Sequence, residues 1–116
     1  MLSRWMNALA LLGLSACATT QLASGRLERT EASIRAAEEV GALAVPDARL
    51  HLQLAKDQTA QARKLADDGD DRAPVMLSRA QADADLAVAL ARETTAHNEA
   101  MSASEDLKAV KARGTP

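Results

Sequence analysis

The chain has 116 residues, which is enough for one small domain. Its 14 basic and 16 acidic side chains give a formal net charge of −2, without the basic excess that is typical of nucleic-acid-binding proteins. One cysteine, one tryptophan and no Phe or Tyr exclude an intramolecular disulfide, a cysteine-rich metal site and a platform of aromatic side chains for base stacking. Because alanine is the commonest residue, the composition predicts helices around a thin core.

The first residues have the layout of a secretory signal. Arg4 is followed by the mostly apolar run 8–14 and then by small residues. Polar residues interrupt the run within roughly half of the about 20 apolar residues that a membrane span needs, so an uncleaved spanning helix is not expected.

The stretch Leu14-Ser15-Ala16-Cys17 places a cysteine directly after small residues and resembles the lipobox of bacterial lipoproteins. The resemblance implies cleavage between Ala16 and Cys17, a diacylglycerol on the Cys17 thiol and a fatty acid such as palmitate on its new amino group. The alternatives for Cys17 are a buried thiol in an apolar helix, or a signal cut by the ordinary peptidase.

Cleavage there divides the chain into a signal peptide (1–16), a short polar tether that carries the lipid (17–23), a helical domain (24–113) and a tail (114–116). The mature part would have a net charge of about −3 and no aromatic residue.

The first predicted helix runs from about residue 24 to 43, with Ser24-Gly25 at its start. The apolar and small residues on one of its sides recur at steps of three and four: Leu27, Thr30, Ile34, Ala37, Gly41 and Ala44.

The second predicted helix runs from 46 to 66, because Pro46 fits a first helical position and Asp47 suits the positive end of the helix. An alanine-rich seam follows it: Ala48, Leu52, Ala55, Thr59, Ala62 and Ala66.

The acidic segment 67–71 separates the second and third helices. A calcium loop needs glycine at its sixth position and glutamate at its twelfth, and counting from Asp67 puts Gly69 third. The segment therefore predicts a turn, in which Gly69 ends one helix and Asp70 or Asp71 caps the next.

The third predicted helix runs from 72 to 113 and spans about 60 Å if it is continuous. Its apolar surface is broad as far as Thr94 and then thins, so we expect its last part to overhang the other helices. The broad part comprises Val75, Leu77, Ala80, Ala84, Leu86, Ala87, Val88, Leu90 and Ala91. The chain is therefore predicted to be all-α, an alanine-rich antiparallel hairpin or three-helix bundle with coiled-coil-like packing and a long third helix.

Several short motifs occur along the chain in a fixed order: Gly41-Ala42, Val45-Pro46-Asp47, the alanines at 55 and 62, and the block Ala80-Gln81-Ala82-Asp83-Ala84-Asp85-Leu86-Ala87. This order is similar to that of the DUF4398 family of envelope proteins. The match covers residues 32–93, about half of the chain. It implies a helical fold and, frequently, a lipid anchor. Some members also carry a peptidoglycan-binding OmpA-like domain, but this sequence has none up to Pro116, so that property is not carried over. The family supplies no catalytic residues.

The residues predict no enzyme, no metal site and no cofactor beyond the lipid on Cys17. His51 follows Asp47, and His97 follows Glu93, at a helical spacing that is compatible with metal ligands. The expected antiparallel register puts these pairs at different ends of the bundle, so both histidines are interpreted as surface residues. No serine stands in a glycine-flanked elbow, and no glycine-rich phosphate loop is present.

These features predict a non-enzymatic protein held at the outer membrane by its lipid and facing the periplasm. It would act as a structural or adaptor module through helix–helix contacts with itself or with another envelope protein. Outer-membrane sorting is expected because Ala18, and not aspartate, follows Cys17. The alternatives are a tether joined to peptidoglycan through Lys108 or Lys111, and a carrier that shelters an acyl chain between its helices.

Overall fold

The computed structural model describes the backbone of residues 16–114 and the side chains of residues 24–114. Three helices follow one another: α1 (Ala16–Glu39), α2 (Pro46–Asp67) and α3 (Ala73–Gly114), with a short 3₁₀ turn (Ala42–Ala44) between α1 and α2. No strand occurs within the described range. The prediction of an all-α fold with a long third helix is confirmed.

Helix α1 begins earlier and ends earlier than the sequence predicted. Segment 17–23, which was expected to be a tether, is helical. It contains no glycine or proline, so nothing in it stops α1 from extending towards the amino terminus. The expected end at residue 43 is also wrong. Gly41 has a φ of 85° in the left-handed region, so the helix stops at Glu39 and the chain turns.

The residues at which α2 begins and the turn after it were predicted correctly. Val45 is extended, and Pro46 opens the helix at a position where its missing N–H costs no hydrogen bond. At the other end Gly69 has a φ of 69°, and the Asp70 carboxylate accepts a hydrogen bond of 2.9 Å from the backbone N–H of Arg72, just before α3.

The helices are arranged so that α1 and α3 point the same way and α2 runs against both. Ion pairs join Lys56 to Glu38 and Arg63 to Glu31, which is an antiparallel register between α1 and α2. The short turn at 68–72 makes α2 and α3 antiparallel as well. The amino terminus of α1 and the carboxy terminus of α3 therefore lie at opposite ends of the molecule.

The core between the helices is built mostly from alanine. Leu52 and Thr30 are the largest side chains that are fully buried among the described residues. Alanine lets helix axes come close together, but each one buries little apolar surface. The buried residues are Thr30, Ala37, Ala42, Ala48, Leu52, Ala55, Thr59, Ala62, Ala73, Leu77, Ala80, Ala84, Ala87 and Ala91.

Five of the six residues predicted for the α2 seam are buried, and the sixth, Ala66, is exposed beside the turn. On the first helix Thr30 and Ala37 are buried as expected, whereas Gly41 and Ala44 are exposed. The left-handed Gly41 changes the direction of the chain, so Ala42 enters the core in their place.

The predicted overhang of the third helix is confirmed. All residues from Thr95 to Gly114 are exposed, and these 20 residues extend about 30 Å along the helix axis. No helix in the described part of the chain is long and apolar enough to cross a membrane.

Candidate interaction surface on the third helix

The exposed half of α3 carries large apolar side chains that lie beyond the core and are more than half exposed. Met101 is 52% exposed, Leu107 is 55% exposed and Val110 is 64% exposed. An isolated helix of this length is marginal in water, and helices in proteins gain most of their stability from packing an apolar face. This half of α3 is therefore the part of the described structure that most lacks a partner.

A row of exposed, mostly apolar residues runs along the whole of α3 and includes Leu107 and Val110. We call it the outer stripe and define it by exposed positions that recur at alternating steps of four and three: Val75, Arg79, Ala82, Leu86, Ala89, Glu93, Ala96, Ala100, Ala103, Leu107, Val110 and Gly114. Such spacing keeps residues on one face of a helix over many turns. Four of the exposed large apolar residues of α3, at 75, 86, 107 and 110, belong to it.

The outer stripe lies on the side of α3 opposite the core. The buried residues of α3 are Ala73, Leu77, Ala80, Ala84, Ala87 and Ala91, and they also recur at steps of three and four. Val75 and Leu77 are two positions apart, which is more than half a turn of a helix. Helix α3 therefore has two seams, one filled by α1 and α2 and the other open.

Sequence reasoning grouped both seams into one broad apolar surface. The structure divides that group. Val75 and Leu86 lie outside, whereas Leu77, Ala84 and Ala91 lie inside. The signal that separates them is the phase of the repeat, because 75 and 86 fit one row and 77, 84 and 91 fit the other.

A polar cluster fixes the contact between α2 and α3. Asp83 lies 2.8 Å from His51, between Oδ1 and Nδ1, and its Oδ2 accepts a hydrogen bond of 2.8 Å from Nε2 of Gln58. One carboxylate on α3 is thus bound by two side chains that lie two turns apart on α2. Such a clamp favours one register of the two helices, and both carboxylate oxygens are engaged.

The metal-ligand spacing noted in the sequence does not build a metal site. His51 uses its Nδ1 for Asp83 and not for Asp47. The expected separation of the two histidine pairs was wrong, because Ala48 and Ala91 share one core cluster, so Asp47 and Glu93 belong to the same end. Within residues 24–114, no three His, Cys, Asp or Glu side chains are grouped as metal ligands.

A second polar contact joins α1 to α3. Nε2 of Gln81 donates to Ser33 Oγ at 2.6 Å and to Asp85 Oδ1 at 2.9 Å. Beside it lies an open cleft of about 450 Å³ that Arg26 and Arg29 also line. Arg29 donates to the carbonyl of Gly25 on its own helix. The polar groups of the cleft are thus partly used within the helices that carry them.

An apolar groove of about 240 Å³ lies at the end of the bundle nearest the amino terminus of α1. Leu27, Ala62, Ala66, Pro74 and Leu77 line it. Most of the atoms that line this groove are apolar.

The turn before α3 holds the clearest electrostatic perturbation. The Arg72 side chain and its backbone N–H both donate to the Asp70 carboxylate, and they lower the pKa of Asp70 to about 2. The Arg72 side chain is exposed, and that of Asp70 is partly buried. The pair stabilises the turn and has no substrate-binding geometry around it.

Residues 1–15 of the expected signal peptide (1–16) and residues 115–116 of the expected tail (114–116) lie outside the described residues, as do the side chains of Ala16 and Cys17. Lipid attachment at Cys17 and cleavage after Ala16 therefore stay predictions. Comparison with protein-family models, curated proteins and solved structures gives no match. The resemblance to the DUF4398 family likewise stays a prediction that depends on the residues quoted for it.

Proposed function

We propose that this protein is a non-enzymatic lipoprotein of the cell envelope that acts as a helix–helix interaction module. The observation that carries the proposal is the exposed half of α3, where 20 helical residues, among them Met101, Leu107 and Val110, lie beyond the core. A helix whose open apolar face continues along its length is suited to pack against another helix.

The direction of the helices supports a lipid anchor at one end and a binding surface at the other. Cys17 lies in the first turn of α1, and Gly114 ends α3 at the opposite end of the molecule. A lipid on Cys17 would hold the first end at the outer membrane. The exposed half of α3 would then lie on the periplasmic side, at the end of the molecule far from Cys17.

The anchor is tested by labelling cells with an alkyne analogue of palmitate. We expect the full chain to incorporate the label and to sediment with outer membranes, and the Cys17→Ser variant to lose both properties. A Ser24→Ala variant is the matched control, because it changes a nearby residue outside the lipobox. Label in the Cys17→Ser variant, or a soluble unlabelled parent chain, would refute the anchor.

The interaction is tested by placing a photoreactive amino acid at Leu107 in cells. We expect a covalent product from Leu107 and none from Ser102, which lies on the other side of the same exposed helix. The absence of any product from Leu107, with the protein present at the membrane, would refute an interaction module while leaving the anchor intact.

A covalent tether to peptidoglycan is the second candidate. Lys108 and Lys111 lie near the end of α3, far from Cys17 along the parallel helices, as a tether requires. Protein that stays on cell walls after boiling in detergent, and is lost in a Lys108→Arg, Lys111→Arg double variant, would support this function over the first.

A further inference from the structure

We propose that the partner of the outer stripe is a second copy of this chain, packed antiparallel along α3. The inference rests on the proposed function, since it names the partner of the same surface. The antiparallel register puts the two Cys17 residues at opposite ends of the dimer, so two copies anchored in one membrane would lie along its surface.

The first argument is length. The packed half of α3 (73–94) and the exposed half (95–114) have nearly the same length. An antiparallel second copy would lay its exposed half along the outer stripe of the packed half, and the reverse. Each copy would thus cover what the other leaves open, as an isologous two-fold interface requires.

The second argument is side-chain size. When the outer stripes overlap over their whole length, Val75 faces Gly114 of the second copy, Leu86 faces Ala103, and Leu107 faces Ala82. Each bulky residue in these layers meets a small one, which is how helices interdigitate at close approach. A parallel arrangement in register would instead place Leu86 against Leu86, and alanine against alanine.

The third argument is charge. The outer stripe contains two charged residues, Arg79 and Glu93, and a parallel arrangement would place each against its own copy. In the antiparallel register Arg79 faces Val110 and Glu93 faces Ala96, so both like-charge contacts disappear. At the edge of the seam, Arg92 comes beside Glu99 of the second copy, where ion pairs set helix orientation.

The same register brings Asp85 beside Asp106 of the second copy, and this repulsion provides a test. An Asp106→Lys variant converts two like-charge contacts per dimer into two attractive ones. From the attraction gained at the two exposed pairs alone, the dimer should bind at least about fivefold more tightly. In a parallel dimer Asp106 would lie beside Lys111 of the other copy, so the same variant would weaken it.

Orientation is measured by crosslinking thiols in the full chain with Cys17→Ser as background. Two differently tagged copies are coexpressed, one with Ala82→Cys and the other with Leu107→Cys, and treated with a short bis-maleimide. We expect a mixed dimer from this pair. Replacing Leu107→Cys by Ser102→Cys, on the opposite face of the helix, should abolish the product.

Affinity is measured by sedimentation of the full chain in detergent. Leu107→Glu removes a leucine that the dimer would bury, once in each copy, and we expect the dissociation constant to rise at least about 100-fold. Ser102→Glu should leave the dissociation constant within about threefold. Residue 107 lies outside the core, so the variant keeps its fold.

A product from Leu107→Cys alone would mean a parallel dimer and would overturn the proposal. So would the lack of any product between copies. If photocrosslinking from Leu107 then yields a species other than twice the mass of the chain, the interaction module stands and only the identity of its partner is wrong.

Discussion

Leu52 is the one large aliphatic side chain that is fully buried in the described core, at 1% exposure. Leu52→Ala should therefore destabilise this protein more than any other leucine truncation in α2. Removing a buried leucine costs about 3 to 5 kcal/mol, from lost transfer free energy and the cavity that remains. The other buried residues of its cluster are alanines such as Ala48, Ala87 and Ala91, whose short side chains cannot move to fill that cavity.

Leu50→Ala is the matched control, since Leu50 is 58% exposed on the same helix and its truncation should cost less than about 1 kcal/mol. Urea unfolding of the full chain, followed by circular dichroism at one protein concentration, measures both free energies. We expect Leu52→Ala to lower the unfolding midpoint strongly, because a small domain has only about 5 to 15 kcal/mol of stability. Equal losses for the two variants would refute the proposed core.

Three further predictions concern packing, turns and pH. Ala62→Leu should cost about 1 to 3 kcal/mol by overfilling the α2 seam, whereas Ala60→Leu, exposed on the same helix, should be nearly neutral in urea unfolding. Gly41→Ala should destabilise the protein by about 1 to 2 kcal/mol because the φ of Gly41 is 85°, although nothing lies within 4 Å of the added Cβ. Gly25→Ala, within α1, should stabilise the protein by roughly 0.5 to 1 kcal/mol; thermal unfolding measures both. The pKa of Asp70 is lowered to about 2, so its contribution to the free energy of unfolding is present above its ordinary pKa and is lost as pH falls from about 4 towards 2. Asp70→Asn should remove that part of the acid dependence of Tm. An unchanged dependence of Tm on acid pH would contradict the prediction.

The points that sequence reasoning predicted well are those where one residue type dictates the backbone. Pro46 can stand only at the start of a helix, and Gly69 readily takes the left-handed conformation that ends one. The α2 seam was readable for a similar reason, since its small residues recur at helical spacing among charged ones.

The rest depends on tertiary contacts that no local pattern encodes. The sequence showed only that Asp47 precedes His51 by one helical turn, whereas the structure pairs His51 with Asp83 of α3. The outer stripe was hidden because alanine occurs on both faces of α3, so composition did not separate the covered row from the open one. Only the packing of α1 and α2 decides which row is buried.

The most direct test of the account is amide hydrogen exchange along α3 in the full chain, measured where it is assembled and after dilution. The account predicts that residues 73–91 are protected in both states, and that residues 96–114 are protected only when assembled. Leu107→Glu should remove the second protection, and Ser102→Glu should keep it. Fast exchange across 96–114 at every concentration, in membranes as well as in detergent, would contradict the claim that this half of α3 is an interaction surface.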